Sequence, residues 1–571
     1  MPYRAPVDDI RFILDQVVPL APVAATERFA EATPDLAEAV LTEAGRLCDQ
    51  VMAPLQRAGD LTPARLENGV VRASPGFAEG FRAIAEGGWI GVSAGTDHGG
   101  MGLPQMLNQA INDMMSGACL ALQLNPLLTQ GQIEALEHHA SDAIKALYLP
   151  KLISGEWSGT MNLTEPQAGS DVGALRTRAE ANGDGSYAVT GQKIFISWGD
   201  SDITENICHL VLARLPGAAE GTRGISLFLV PKILPDADGR PGRANALKVV
   251  SLEHKMGLHG SPTCVMAYEG ATGWLIGEEG RGMAAMFTMM NNARLAVAMQ
   301  GIGVAEAACQ SAVAYATERR QMGVIADHAD VRRMLATMRA EVFAARAIAL
   351  SCAQATDMAR ALAGGDKAAD WAARAAFLTP IAKAHGTDTG CAVAEMAMQV
   401  HGGMGYVEEA GVAQFYRDVR VTTIYEGTNG IQAMDLVGRK MADGGEAAWR
   451  LLEEVQAGAE AARGTLPDLA GEVWSAAETL REATEALIAK DMTDRGAGAA
   501  AYLGAWARVL GAHFHLRAAL ADGIGGARHA LARVHVRRLL PQHVAALAEV
   551  RAGAEDLFAV GDDAFGPGRA R

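Results

Sequence analysis

Between about residues 160 and 275 the chain changes texture, and that change limits the folds open to it more than any other feature. Short segments rich in β-branched and aromatic residues follow one another there: Tyr187-Ala188-Val189-Thr190, Lys193-Ile194-Phe195-Ile196-Ser197, His209-Leu210-Val211-Leu212 and Ile225-Ser226-Leu227-Phe228-Leu229-Val230. Gly, Pro and Asp separate them and no helical run intervenes, so the rhythm predicts an antiparallel β unit of strands and turns. On either side apolar residues return at three- and four-residue spacing, as from Leu36 to Val51, which predicts helices. The expected class is mainly α with an inserted β domain.

The same reading divides the chain. Residues 1–34 form a short N-terminal module, 35–159 a helical domain interrupted by Gly87-Gly88 and Gly99-Gly100, and 160–275 the β domain. An alanine- and methionine-rich pattern over 276–441 fits a four-helix bundle. Gly444-Gly445 and Gly464 mark a looser joint before a further helical domain over 442–571, which closes in a polar Gly-Pro-Gly-Arg tail expected to fray. Pro216 to Asn245, outside the Ile225–Val230 strand, is expected to run over the surface.

Composition removes several function classes. The chain has 571 residues of which 49% are hydrophobic, enough for a large core and too many for disorder. A net charge of −16 and a pI near 5.4 argue against general binding to nucleic acid or anionic membranes. Seven scattered cysteines without a CxxC pair fit reduced, buried thiols rather than disulfides or a zinc site. The acidic start has no apolar stretch of a signal peptide, and no run approaches the ~18 apolar residues of a membrane span, so a soluble cytoplasmic protein is expected.

No GxxxxGK[ST] sequence is present, so the usual P-loop is unsupported. Gly301-Ile302-Gly303 imitates half of a dinucleotide fingerprint but sits inside a helical run, where close helix packing is the better account. Thr164-Glu165-Pro166-Gln167-Ala168-Gly169-Ser170-Asp171 is a turn whose glycine and polar groups suit either an ordinary polar turn or a ligand cradle. On the next strand, alternation puts Phe195 and Ser197 on one face and Ile196 on the other. Tyr425-Glu426-Gly427-Thr428 places a single carboxylate in a tight turn between an aromatic residue and a glycine.

Together with Arg319-Arg320-Gln321-Met322-Gly323 and Gln399-Val400-His401-Gly402-Gly403, these segments resemble the acyl-CoA dehydrogenase family over about residues 35–440. The resemblance implies that family's fold: an N-terminal helical domain, a middle β domain and a helical bundle. It also implies FAD as cofactor, held by Met161, Leu163, Thr164, Ser170, Phe195, Ile196, Ser197, Arg319, Met322, Gln399, Gly403 and Thr428. Arg319, Met322, Gln399 and Gly403 would act across a dimer. Ser170, Asn291, Arg294, Tyr425 and Gly427 would meet the acyl-CoA. Glu426 would be the base, since Ala293, at the helix position where some branches keep theirs, cannot serve. No metal is implied, His401 having no companion ligands. Three departures stand out: Phe195 where Trp is usual, Met322 where Phe is common, and Asn291 where Asp is common.

The N-terminal module, Lys255-Met256-Gly257-Leu258-His259-Gly260-Ser261-Pro262-Thr263-Cys264, Asp330-Val331-Arg332-Arg333-Met334-Leu335 and the extra C-terminal domain most resemble the family's long bacterial branch. That branch includes dehydrogenases of 3-(methylthio)propanoyl-CoA acting in dimethylsulfoniopropionate demethylation; the same architecture serves short- to long-chain fatty acyl-CoAs. The resemblance further implies an electron-transferring flavoprotein as acceptor and a homodimer or dimer of dimers. Two other readings stay open. Arg528, His529, Arg533, His535, Arg537 and Arg538 make a locally basic helix like that of DNA-binding alkylation-response relatives, although a solvated face or dimer contact accounts for it better. A flavoprotein that has lost turnover is the other, and retention of Glu426 argues against it.

Overall fold

The computed structural model describes residues 3–566, so the expected fraying from Pro567 onward lies outside the described residues. The chain forms two compact units. One comprises Met1–Val7, Glu31–Ala296 and Val407–Arg420; the other comprises Asp8–Ala30, Val297–Tyr406 and Val421–Arg571.

The first unit opens with the helix Pro34–Leu47, capped by the Thr33 hydroxyl, which accepts from Leu36 N at 3.3 Å. After a small hairpin of β1 (Arg65–Glu67) and β2 (Val70–Arg72), the helix Gln105–His139 runs buried through nearly its whole length. Some of its polar residues pair with one another inside: Gln123 Nε2 donates to Asn112 Oδ1 and Asn112 Nδ2 to Gln130 Oε1, each at 3.1 Å.

The β domain follows as β3 (Trp157–Asn162), β4 (Arg178–Ala181), β5 (Tyr187–Ser197), β6 (Asn206–Arg214) and β7 (Ile225–Pro231). It continues with the hairpin β8 (Ile233–Pro235) and β9 (Pro241–Ala244), then β10 (Leu247–Leu252) and β11 (Thr263–Ile276). β10, β11, β5 and β4 pair antiparallel in that order, and β7 pairs antiparallel with both β6 and β11. The domain is not wholly antiparallel as expected. β3 runs parallel to β6, and β4 meets β6 in one parallel pair, Arg178 with Arg214. Parallel strands need a long crossover, which β4 and β5 supply here in place of a helix. The pairings β11–β5–β4–β6–β7–β11 close on themselves, leaving few edges open. β7 is buried throughout and β6 nearly so, which is why both read as continuous apolar runs. The exposed β9 lies in the stretch expected at the surface.

The chain passes from one unit to the other within the helix Gly282–Glu318. In the second unit the later part of this helix packs against Ala368–His401 with almost no gap. A Cβ at Gly301 would lie 2.3 Å from Gly386 O, and one at Gly386 2.8 Å from Ala298 O. Gly301 thus serves helix packing, as the sequence predicted. Ala329–Ala361, Asn429–Val437 and the C-terminal helices Glu446–Ala462, Pro467–Ile488, Ala499–Asp522 and Gln542–Ala552 complete the unit. Ala499–Asp522 packs on Ala329–Ala361, where Arg508 pairs with Glu341 and His515 Nε2 lies 3.0 Å from Ala340 O. Among the described residues no helix is long and apolar enough to cross a membrane.

Candidate active site

In the first unit the Thr164–Asp171 turn is built around Glu165. This carboxylate is 4% exposed and accepts from Lys193 Nζ (2.9 Å), Thr177 Oγ1 (2.6 Å), Thr177 N (3.0 Å) and Arg176 N (2.7 Å). Burial alone would raise its pKa; the Lys193 charge and these donors outweigh it and draw the group down to about 2. Lys193, fully buried, also donates to Leu163 O at 2.9 Å, and Ile194 N donates to Thr164 O at 3.0 Å. The loop carrying Leu163 and Thr164 is thereby strapped to β5. Tyr268 OH donates to Asn162 Oδ1 at 2.9 Å and fixes the end of β3, next to the half-buried Met161. At the tip Ser170 is exposed, and a Cβ at Gly169 would meet no heavy atom within 4 Å, so the turn is open to a ligand.

Phe195 lies on this strapped strand. It is 59% exposed with φ 60°, a left-handed conformation that costs a non-glycine residue about 1–3 kcal/mol. The cause is a bulge. Cys264 pairs with Ile196 and Met266 with Lys193, so β5 carries one residue more than β11 between those pairs. Simple alternation would put Lys193 and Phe195 on the same face; the bulge lets Lys193 go inward and Phe195 outward. Ser197 is half-buried, while Ile196 is 2% exposed and belongs to the β-domain core. A role for Ile196 at the cofactor is therefore confined to its backbone. Further on, Arg294 and Ala293 are buried and Asn291 is exposed; the neighbouring Asn292 donates to Glu134.

The second unit carries the other candidates in two clusters. Tyr315 and His401 stack at 4.3 Å, bringing the end of Gly282–Glu318 beside the end of Ala368–His401. Around them Arg319, Met322, Gln399 and Gly403 are all exposed, and Met322 stands 97% exposed at φ 52° on its turn. A Cβ at Gly402 or Gly403 would meet nothing within 4 Å. His401 is 8% exposed, and its Nδ1 lies 2.7 Å from Ala397 O, which gives the imidazole a structural place.

The other cluster is the Tyr425–Thr428 turn. Glu426 is half-buried with φ 57°, and Gly427 follows at φ 86°. Two successive left-handed residues need external support, and buried side chains supply it. Lys383 Nζ donates to Gly427 O (3.0 Å) and Asn429 Oδ1 (2.9 Å), while Gln432 Nε2 donates to Glu426 O (3.2 Å) and Gly427 O (3.3 Å). Thr428 caps the helix Asn429–Val437 by accepting from Ile431 N at 3.3 Å. Tyr425 OH donates to Gln300; burial, and then the Glu426 charge, push this phenol's pKa far up, so it stays neutral.

The sequence motifs, although two of them contain Glu165 and Lys193, gave these supports no role. Glu165, Lys193, Gln300, Lys383 and Gln432 hold the candidate residues in place. The available signal was a lysine inside an apolar strand and another inside an apolar helix, where an unpaired charge is costly.

Three comparisons bear on this geometry. Residues 35–156, 160–271 and 280–441 match, in order, the acyl-CoA dehydrogenase N-terminal, middle and C-terminal domains. The chain is 47% identical over 469 residues to 3-methylmercaptopropionyl-CoA dehydrogenase of Ruegeria pomeroyi, covering 80% of this chain and 79% of that one. It is 36% identical over 417 residues to a butyryl-CoA dehydrogenase of Syntrophomonas wolfei, covering 69% and 68%. Among solved structures, Caenorhabditis elegans ACDH-11 in complex with C11-CoA superposes with a TM-score of 0.81 at 21% identity, over 98% of this chain and 95% of that one.

Proposed function

Because this chain belongs to the acyl-CoA dehydrogenase family, we propose that it oxidises 3-(methylthio)propanoyl-CoA to 3-(methylthio)acryloyl-CoA, with Glu426 as the base. That it is an FAD-dependent acyl-CoA dehydrogenase follows from the family. The observation that carries the choice of acyl group is the 47% identity to the Ruegeria pomeroyi 3-methylmercaptopropionyl-CoA dehydrogenase, against 36% to the butyryl-CoA enzyme. A fatty acyl-CoA is the second reading, and the latter relative is what favours it.

The residues present fit the cofactor. The Phe195 ring projects from a bulge, and the open turns at Gly169 and at Gly402-Gly403 leave room for a ligand against the backbone. Met161, Leu163, Thr164, Ser170, Phe195, Ser197, Arg319, Met322, Gln399, Gly403 and Thr428, with the backbone of Ile196, would hold FAD, which supplies the acceptor for the β-hydride. Ser170, Asn291, Arg294, Tyr425 and Gly427 would hold the acyl-CoA.

Glu426 takes the α-proton. The α-hydrogen of a thioester is weakly acidic, so its removal needs a carboxylate fixed in position and partly withdrawn from water. The left-handed turn held by Lys383 and Gln432 fixes it. The Glu426 backbone N–H would donate to the thioester oxygen as enolate character develops.

We extend the proposal to partners: a homodimer, whose second copy would cover the exposed Met322, Met404 and Tyr406, and an electron-transferring flavoprotein as acceptor, in the cytoplasm. The DNA-binding reading loses support, because Arg528 is committed to Asp9 and lies over the Phe12 and Phe343 rings, and His535 is fully buried. A substrate panel tests the acyl assignment. With an artificial electron acceptor, kcat/KM should be highest for 3-(methylthio)propanoyl-CoA, and a higher value for butyryl-, hexanoyl- or octanoyl-CoA would reject it.

A further inference from the structure

Within the second unit, the ends of Gly282–Glu318 and Ala329–Ala361 and the helix Ala527–Val534 with its continuation His535–Leu539 border a groove of about 930 Å³. Val313, Leu335 and Val534 give it an apolar floor, and Arg332, Arg333 and Arg538 stand on its rim. Arg333 is paired with Asp330 at 2.8 Å. Arg332 and Arg538 are exposed and make no ion pair among the described residues, so two positive charges stand uncancelled over an apolar trough in a chain of net charge −16.

The segment Glu555–Phe565 has the opposite character. Leu557, Phe558 and Phe565 are 57%, 77% and 75% exposed, and the carboxylates of Glu555 and Asp556 make no ion pair among the described residues. The root of the segment is pinned: Ala554 N donates to Asp494 Oδ1 at 2.9 Å, and Lys490 Nζ donates to Val550 O and Arg551 O, each at 3.0 Å. Groove and segment belong to the same unit, yet within one chain the segment stands in solvent rather than in the groove. Two phenylalanines and a leucine held in water beside unpaired acids have the make-up of a docking element, and the groove offers the complementary surface.

We propose that Glu555–Phe565 of one chain docks into the arginine-rimmed groove of a second copy. Leu557 and Phe558 lie on the floor of Val313, Leu335 and Val534, and Glu555 and Asp556 face Arg332 and Arg538. In the single chain the segment stands outside its own groove with its apolar side chains exposed, and a neighbouring chain is taken as the host.

Cysteine trapping in the full-length, FAD-loaded protein tests this. Chains carrying Thr317→Cys on the groove are mixed with chains carrying Phe558→Cys and mildly oxidised. Wild-type chains, in which Cys391 is the one cysteine not buried, serve as the blank. A covalent heterodimer on a non-reducing gel is expected. Adding Arg332→Glu and Arg538→Glu to the groove chain should lower its yield about tenfold. Placing Glu555→Arg and Asp556→Arg on the segment chain should then restore it. All variants should keep wild-type FAD content, so that loss of cross-linking is not loss of fold. No cross-link, or a yield indifferent to the charge changes, would each overturn the proposal.

Discussion

Lys383 donates to the carbonyl oxygen of Gly427 at 3.0 Å, across 44 residues of chain, and so ties the turn that carries Glu426 to the interior of the bundle. The tie matters because Glu426 and Gly427 both sit in left-handed backbone, at φ 57° and 86°. A side chain in that conformation stays put only if its surroundings hold it there.

Replacing Lys383 with Met keeps the volume and removes the donor. Gly427 O and Asn429 Oδ1, both half-buried and each keeping one other donor, then lose a hydrogen bond, at a cost of about 1–3 kcal/mol in all. The turn would shift, and a displacement near 1 Å at a reacting group lowers turnover about 100-fold. FAD content should fall far less than turnover, since Lys383 itself is not assigned to the cofactor and Thr428 alone of the assigned residues lies on this turn. Flavin absorbance, kcat and urea unfolding measure the three quantities.

Glu165 and Lys193 give a pH-dependent prediction. The folded pKa of Glu165, about 2, lies below the ~4.3 of an unfolded glutamate. Its contribution to stability is therefore complete above pH ~4.3 and is lost as pH falls toward 2. Glu165→Gln leaves Lys193 buried without its counter-charge and should destabilise the protein by about 3–5 kcal/mol at pH 7. The gap between mutant and wild type should narrow steadily below pH ~5. Urea titrations at pH 7 and at pH 4 compare the two.

Phe195→Ala should weaken FAD binding by about tenfold or more while leaving the stability of the apoprotein nearly unchanged, since the ring is 59% exposed and packs little of the core. Fluorescence titration of apoprotein with FAD, together with a melting curve, separates the two effects.

How much of this was legible beforehand follows from what each residue does. Segments such as Thr164–Asp171 and Tyr425–Thr428 stood out through their resemblance to the family's motifs; by residue pattern alone the first suits an ordinary polar turn equally well. The β domain showed itself through short β-branched runs. The parallel pairing of β3 with β6 did not, because strand direction depends on which strands meet and not on local composition. The bulge at Phe195 was likewise hidden, since the extra residue exists only relative to its partner strand. Lys193 and Lys383 act through long-range hydrogen bonds, and nothing near them in sequence names their partners, whereas Gln432 reaches back only five and six residues to the turn itself.

Gly301, by contrast, was legible as a packing residue, and its test is direct. Gly301→Val would drive side-chain atoms into Gly386 O, which cannot rotate away, and should cost about 3 kcal/mol. Gly471→Ala, in the helix Pro467–Ile488 with nothing within 4 Å of the new methyl, should instead stabilise by about 0.5–1 kcal/mol. Paired urea titrations of the two variants report both signs.

The central claim is that Glu426 removes the α-proton. Stopped-flow bleaching of the bound flavin by 3-(methylthio)propanoyl-CoA, in wild type and in Glu426→Gln with equal FAD occupancy, tests it most directly. The account predicts that the substitution slows bleaching at least about 1000-fold while acyl-CoA still binds. Bleaching at the wild-type rate would contradict it.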